Sequence, residues 1–161
     1  MTLNRSFTDA CKAGNMADVK RFIDIAERKN RLLDWDWGLR GACEGGHKDI
    51  ILLIIDIAEK KNINLDLNRG LRIACYNGHK DIILLFIDIV EKKNINLDLD
   101  RGLRVACYNG HKDIALMIID IMEKALIGET TKAIDFNFNI PSTGKSGWSS
   151  HTTAPLRNAK G

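Results

Sequence analysis

The chain of 161 residues lacks any long hydrophobic run: its longest uninterrupted apolar stretches, such as residues 50–55 and 82–87, are six residues each. A helix that crosses a bilayer needs roughly 20 such residues, so a membrane-spanning helix is excluded and a soluble chain with no membrane partner is expected. Residues 1–11 are too polar for a secretion signal, which contains an apolar run of at least about seven residues. An excess of one charge is missing too. The chain carries 24 Lys and Arg against 21 Asp and Glu, net +3. Up to Lys124 the balance is 20 basic to 19 acidic, or +1, and the remaining residues add four basic and two acidic. The total shows no basic footprint, and no nucleic-acid partner is expected. No combination of nucleophile, base and oxyanion donors stands out either, which argues against an enzyme.

What the chain does have is a period. Cys11, Cys43, Cys75 and Cys107 are 32 residues apart, and Gly46-His47, Gly78-His79 and Gly110-His111 keep the same step. Repeats of about 20 to 50 residues mark units that cannot bury their apolar face alone and must stack on their neighbours. A hydrophobic content of 45% is ample for such a core. With one cysteine per unit and neighbouring helices about 8–10 Å apart, the thiols are too distant for disulfides, which need Cα separations under about 7 Å. Reduced cysteines suit an intracellular setting, cytoplasmic or nuclear.

The unit reads as two short helices. In the third, Leu71, Ala74 and Cys75 fall at i, i+3 and i+4 on one face, and Ala and Cys let that face approach a neighbour closely. Asn77-Gly78 ends the helix, because glycine accepts the left-handed backbone of a C-terminal cap. Asp81 opens the second helix, where a carboxylate meets free N–H groups and the positive end of the dipole. Ile82, Leu85, Phe86 and Ile89 form one apolar stripe and Ile83, Ile87 and Val90 a second beside it. A helix apolar over so broad an arc lies between neighbours. Asp88 and Lys92 form an i, i+4 pair, and Asn94 caps the end. The run Ile82 to Ile87 alone also fits a strand, but polar residues at helical spacing beyond it favour the helix.

The string Ala74 to Ile83, Ala-Cys-Tyr-Asn-Gly-His-Lys-Asp-Ile-Ile, and its near copy at Ala106 to Ile114 resemble the core of an ankyrin repeat. The resemblance implies an all-α, ankyrin-type solenoid of helix-turn-helix units at about 2–33, 34–65, 66–97 and 98–127, joined by short fingers. It also implies a non-enzymatic scaffold that binds a protein partner on its concave face, without cofactor or metal. The family's Thr-Pro-Leu-His opening is replaced by Arg69-Gly70-Leu71-Arg72 and Arg101-Gly102-Leu103-Arg104, and the second helix is longer and the finger shorter than usual. The variant Trp35-Asp36-Trp37-Gly38-Leu39-Arg40 is similar to divergent ankyrin repeats of large DNA viruses of protists, which would place the protein in a host cell. Other readings are a structural or decaying member of an expanded repeat family, since 24 of 32 positions agree between residues 63–94 and 95–126, and a ubiquitin-ligase adaptor.

The two ends differ. Unit one is polar, with Asn15 in the histidine position, one residue inserted, and Lys20-Arg21 interrupting its second helix; it reads as an N-terminal cap. The second helix of unit four is as apolar as an internal one, which leaves its face needing a cover or exposed to self-association. Residues 128–161 read as an incomplete fifth repeat, with Ile134 to Ile140 as the candidate cover, followed by a Ser-, Thr-, Gly- and Lys-rich tail without periodicity that predicts disorder.

Several local patterns are weighed against plainer roles. Cys and His at i, i+4 suggest zinc, but a glycine cap lies between them and each unit offers two ligands where structural zinc takes four. The histidines are expected to bond backbone in the turn. Gly144-Lys145-Ser146 lacks the upstream glycine of a phosphate loop. Arg40, Arg72 and Arg104 form a row expected to pair with Asp66, Asp98 or backbone carbonyls. Candidate partner contacts, from the concave positions of the resemblance and the hot-spot preference for Tyr, Trp and Arg, are Trp35, Trp37, Glu44, Arg69, Tyr76, Asn77, Arg101, Tyr108 and Asn109.

Overall fold

Every 32-residue step supplies two helix starts and two helix stops, and the computed structural model, which describes residues 1–128, follows each of them. The described residues form eight helices in four pairs: α1 (Leu3–Ala13) with α2 (Met16–Arg28), α3 (Trp35–Gly45) with α4 (Lys48–Lys60), α5 (Leu67–Asn77) with α6 (Lys80–Lys93), and α7 (Leu99–Tyr108) with α8 (Lys112–Leu126). The class is all-α. First helices are 10 or 11 residues long and second helices 13 to 15.

Capping fixes these boundaries. Asp34, Asp66 and Asp98 accept hydrogen bonds from the backbone N–H groups of Trp37, Arg69 and Arg101 at 3.1, 2.9 and 3.0 Å, each satisfying an N–H that the first turn leaves free. Gly14, Gly46 and Gly78 end first helices at φ between 75° and 80°. Asn30, Asn62 and Asn94 turn the chain out of the second helices at φ 50°, 55° and 54°, asparagine being among the few residues other than glycine that tolerate this region.

The residue that unit one seemed to gain is not inserted: the second helices begin after Asn15, His47, His79 and His111 at a constant step. Asn15 accepts from the Asp18 N–H at 3.0 Å while its amide donates to the Asp18 carboxylate at 2.8 Å. This reciprocal cap puts the acid at the third helical residue instead of the second, which shifts the sequence pattern without shifting the chain.

First helices stack on one another, α1 on α3, α3 on α5 and α5 on α7, more closely than second helices do. Small residues permit this. A Cβ on Gly38 would lie 2.4 Å from Phe7, on Gly70 3.4 Å from Cys43 Sγ, and on Gly102 3.2 Å from Leu71. The α1–α3 approach is closest: a Cβ at Gly41 would meet Thr8 O at 2.6 Å and one at Gly45 would meet Lys12 O at 2.2 Å. Cys11, Cys43 and Cys75 are fully buried free thiols. All seven apolar residues assigned to the two stripes of α6 are buried, each large one contributing about 1.5–3 kcal/mol.

Two ladders tie each pair to the next, and a third joins the first three pairs. The His47, His79 and His111 Nε2 atoms lie 3.0, 2.8 and 2.8 Å from the carbonyl oxygens of Lys12, Glu44 and Tyr76. Asn4, Asp36 and Asn68 side chains accept from the N–H groups of Asp34, Asp66 and Asp98 at 2.9, 2.9 and 2.7 Å. On the outer helices Glu27 pairs with Lys61 and Glu59 with Lys93, which in exposed positions adds little.

The last described pair has a bare face. Cys107 is exposed where its three equivalents are buried, and Ile119 is 38% exposed against 7% for Ile87. The segment Ile134 to Ile140 and the tail lie outside the described residues.

Candidate functional site

Helical geometry sends positions 5/37/69/101, 8/40/72/104 and 12/44/76/108 of the first helices to the face away from the second helices, because i, i+3 and i+7 share one side. Those three rows carry Arg5, Trp37, Arg69 and Arg101; Thr8, Arg40, Arg72 and Arg104; and Lys12, Glu44, Tyr76 and Tyr108. A shallow groove of ≈ 630 Å³ crosses all four first helices. Its walls are Lys12, Arg40, Glu44, Arg69, Arg72 and Tyr76, with Ile73, Asn77 and Val105 completing it.

Trp37 is 46% exposed, and the guanidinium carbons of Arg40 and Arg69 lie 4.7 and 5.8 Å from its ring centroid. Their charge is attracted to the ring face and holds the indole in place. Trp35 has a different fate. It is buried, with its ring 5.6 Å from that of Phe7 at 78°, so its place among the partner contacts is corrected: residues two apart on a helix point to nearly opposite sides, and only Trp37 reaches the surface.

Glu44 bonds Lys12 at 3.1 Å and Arg40 at 3.3 Å. Partial burial acts to raise its pKa, but the hydrogen bonds and charges of Lys12 and Arg40 outweigh that and hold the carboxyl below its usual range. The arginine row does not pair with Asp66 and Asp98, whose carboxylates are committed to backbone N–H groups as caps. Arg40 turns to Glu44 and Arg104 to Asp100 at 3.0 Å. Arg69 and Arg72 make no ion pair among the described residues.

Tyr76 and Tyr108 are 60% and 92% exposed, and Arg101 is exposed as well. Asn77 and Asn109 each donate from the side-chain amide to the carbonyls of Ile73 and Val105, four residues earlier, at 2.8 Å, and the Val105 oxygen also accepts the Asn109 backbone N–H at 3.1 Å. Thus Glu44, Arg69, Tyr76 and Asn77 come together in the groove, while Arg101, Tyr108 and Asn109 belong to the next helix along. Lys12, Arg40 and Arg72 also line it, although none was among the candidate contacts. Stepping 32 residues back from Glu44 would have found Lys12.

The histidines reach farther than a local turn. Each ring bonds a carbonyl 35 residues earlier, in the preceding pair. Since a carbonyl only accepts, Nε2 carries the proton. Burial pushes the Cys11 and Cys75 thiols up to about 12, and Cys43 higher still, with the Glu44 charge adding to burial. Among the described residues no three His, Cys, Asp or Glu side chains converge as metal ligands would, and no helix is long and apolar enough to cross a membrane.

The repeating helical pairs define a helical-repeat architecture. No family model matches the chain, and no characterised protein is similar enough to be matched to it.

Proposed function

We propose that the protein is a non-enzymatic ankyrin-type scaffold that binds another protein along the face of its first helices. The observation that carries this reading is the set of exposed aromatic side chains, Trp37, Tyr76 and Tyr108, among arginines on one face of the stack. Large aromatic and arginine side chains dominate protein interfaces, and these lie outside the packing that holds the helices together.

The groups most suited to chemistry have structural duties, which supports a binding role. The histidine rings are spent on backbone carbonyls, three thiols are buried in protonated form, and most of the described carboxylates accept backbone N–H groups or form ion pairs. The ubiquitin-ligase adaptor reading has less support, since the segment that would carry its recruiting helix lies outside the described residues.

The test is affinity purification with the wild type beside a Tyr76→Ala, Tyr108→Ala double variant. A partner retained by the wild type and lost by a folded double variant supports the reading. Equal recovery by both would overturn it in favour of another surface.

A further inference from the structure

The near-neutral composition of the chain hides a strong separation of charge. On the second helices the acids and bases cancel locally: Asp24 with Arg28, Asp56 with Lys60, Asp88 with Lys92 and Asp120 with Lys124 are i, i+4 ion pairs repeating with the units. On the first helices the balance fails. The groove is walled by the cations of Lys12, Arg40, Arg69 and Arg72 against one carboxylate, Glu44. That carboxylate is already held by Lys12 and Arg40, so the groove keeps a positive excess centred on Arg69 and Arg72, neither of which has an anionic partner among the described residues.

We propose that the groove binds an acidic, extended segment of a partner protein, its carboxylates on Arg69 and Arg72 and its chain against Tyr76. This rests on the protein-binding reading above and names the chemistry of the partner. Guanidinium groups take carboxylates through two parallel hydrogen bonds, and Ile73 and Val105 on the groove floor offer apolar contact that suits a peptide. The pair fixes a spacing. Arg69 and Arg72 lie one turn apart on α5, about 5–6 Å between Cβ atoms, and an extended chain places alternate side chains on one face about 6.6 Å apart, so carboxylates at every second residue match the two arginines. A nucleic acid fits less well, because affinity for it comes from neutralising many phosphates along a long track, and Glu44 sits in the middle of this groove.

The experiment uses the full chain and a fluorescein-labelled Ser/Gly peptide with glutamate at every second position, read by fluorescence anisotropy. A matched peptide with glutamine in place of glutamate and a single-stranded oligodeoxythymidylate serve as comparators. The acidic peptide should bind, weaken as salt rises, and lose about tenfold or more in affinity, equivalent to ~1.4 kcal/mol, in Arg69→Glu and in Arg72→Glu. Lys80→Glu, an equal charge change on an exposed position of α6, should leave it unchanged. Circular dichroism shows that each variant folds, and Arg72→Gln provides a milder change at the same site. Equal binding of the glutamine peptide, indifference to both reversals, or tighter binding of the oligonucleotide would overturn the proposal. So would a partner that depends on Tyr76 and Tyr108 yet does not compete with the acidic peptide, a result that leaves the broader binding reading standing.

Discussion

His79 Nε2 lies 2.8 Å from the carbonyl oxygen of Glu44, 35 residues earlier, with the imidazole ring packed against Gly46 so closely that a Cβ there would lie 2.8 Å from Nδ1. The residue at which a second helix begins therefore also uses its side chain to close the end of the previous first helix. One residue performs two joints of the repeat.

Replacing His79 with Ala should destabilise the fold by about 1–3 kcal/mol, since it removes a partly buried hydrogen bond and leaves the Glu44 carbonyl unpaired. Chemical denaturation measures this. An unchanged midpoint would mean that water replaces the imidazole without loss.

The two neighbouring tryptophans should respond very differently to truncation. Trp35→Ala removes a buried ring and should cost about 3–5 kcal/mol, whereas Trp37→Ala at a half-exposed position should cost about 1 kcal/mol or less. Comparable losses in denaturation midpoint would contradict their placement.

Glycines on the stacking face should also separate into two kinds. In Gly45→Ala the new Cβ would meet the backbone carbonyl of Lys12 at 2.2 Å, an obstacle that cannot rotate away, and a loss of about 2–4 kcal/mol is expected. In Gly102→Ala the nearest atom is the Leu71 side chain at 3.2 Å. There the gain in helix propensity, about 1 kcal/mol, should offset the crowding and leave stability nearly unchanged. Thermal melts of the two variants provide the comparison.

Thiol chemistry should distinguish one cysteine from the other three. Cys107 is exposed and should react first with a maleimide, while Cys11, Cys43 and Cys75 stay protected until the fold opens. Burial raises the Cys11 and Cys75 thiols to about 12, above their value of about 8.5 in an unfolded chain. Between those values the folded state holds more protons than the unfolded one, so the stabilisation present below about pH 8.5 declines as pH rises towards about 12. Cys75→Ala should flatten that decline. Equal labelling of all four thiols under native conditions, or an alkaline slope unaltered by Cys75→Ala, would contradict these assignments.

Much of this was legible in single residues. The caps at Gly46, Gly78 and Asn94, the broad burial of α6 and the Asp88–Lys92 pair at 2.8 Å follow from rules that act within a few residues of chain. Asn15 misled for the same reason: its reciprocal cap with Asp18 mimics an insertion when only spacing is visible. Arg40 could not be assigned from its row, because Asp66 and Asp98 were already occupied by backbone N–H groups and Glu44 lay one turn away.

By itself the sequence determined the helical pairs, their 32-residue period and the stripes that face the core, because capping, periodicity and side-chain size are local properties of the chain. Tertiary structure decided which tryptophan is surface, which carbonyl each histidine meets, and where the charge collects. Those outcomes depend on atoms of different pairs brought within a few ångströms by stacking. A total of +3 says nothing of them: charge on the second helices cancels along the chain, while the arginines of successive first helices meet only when the units stack.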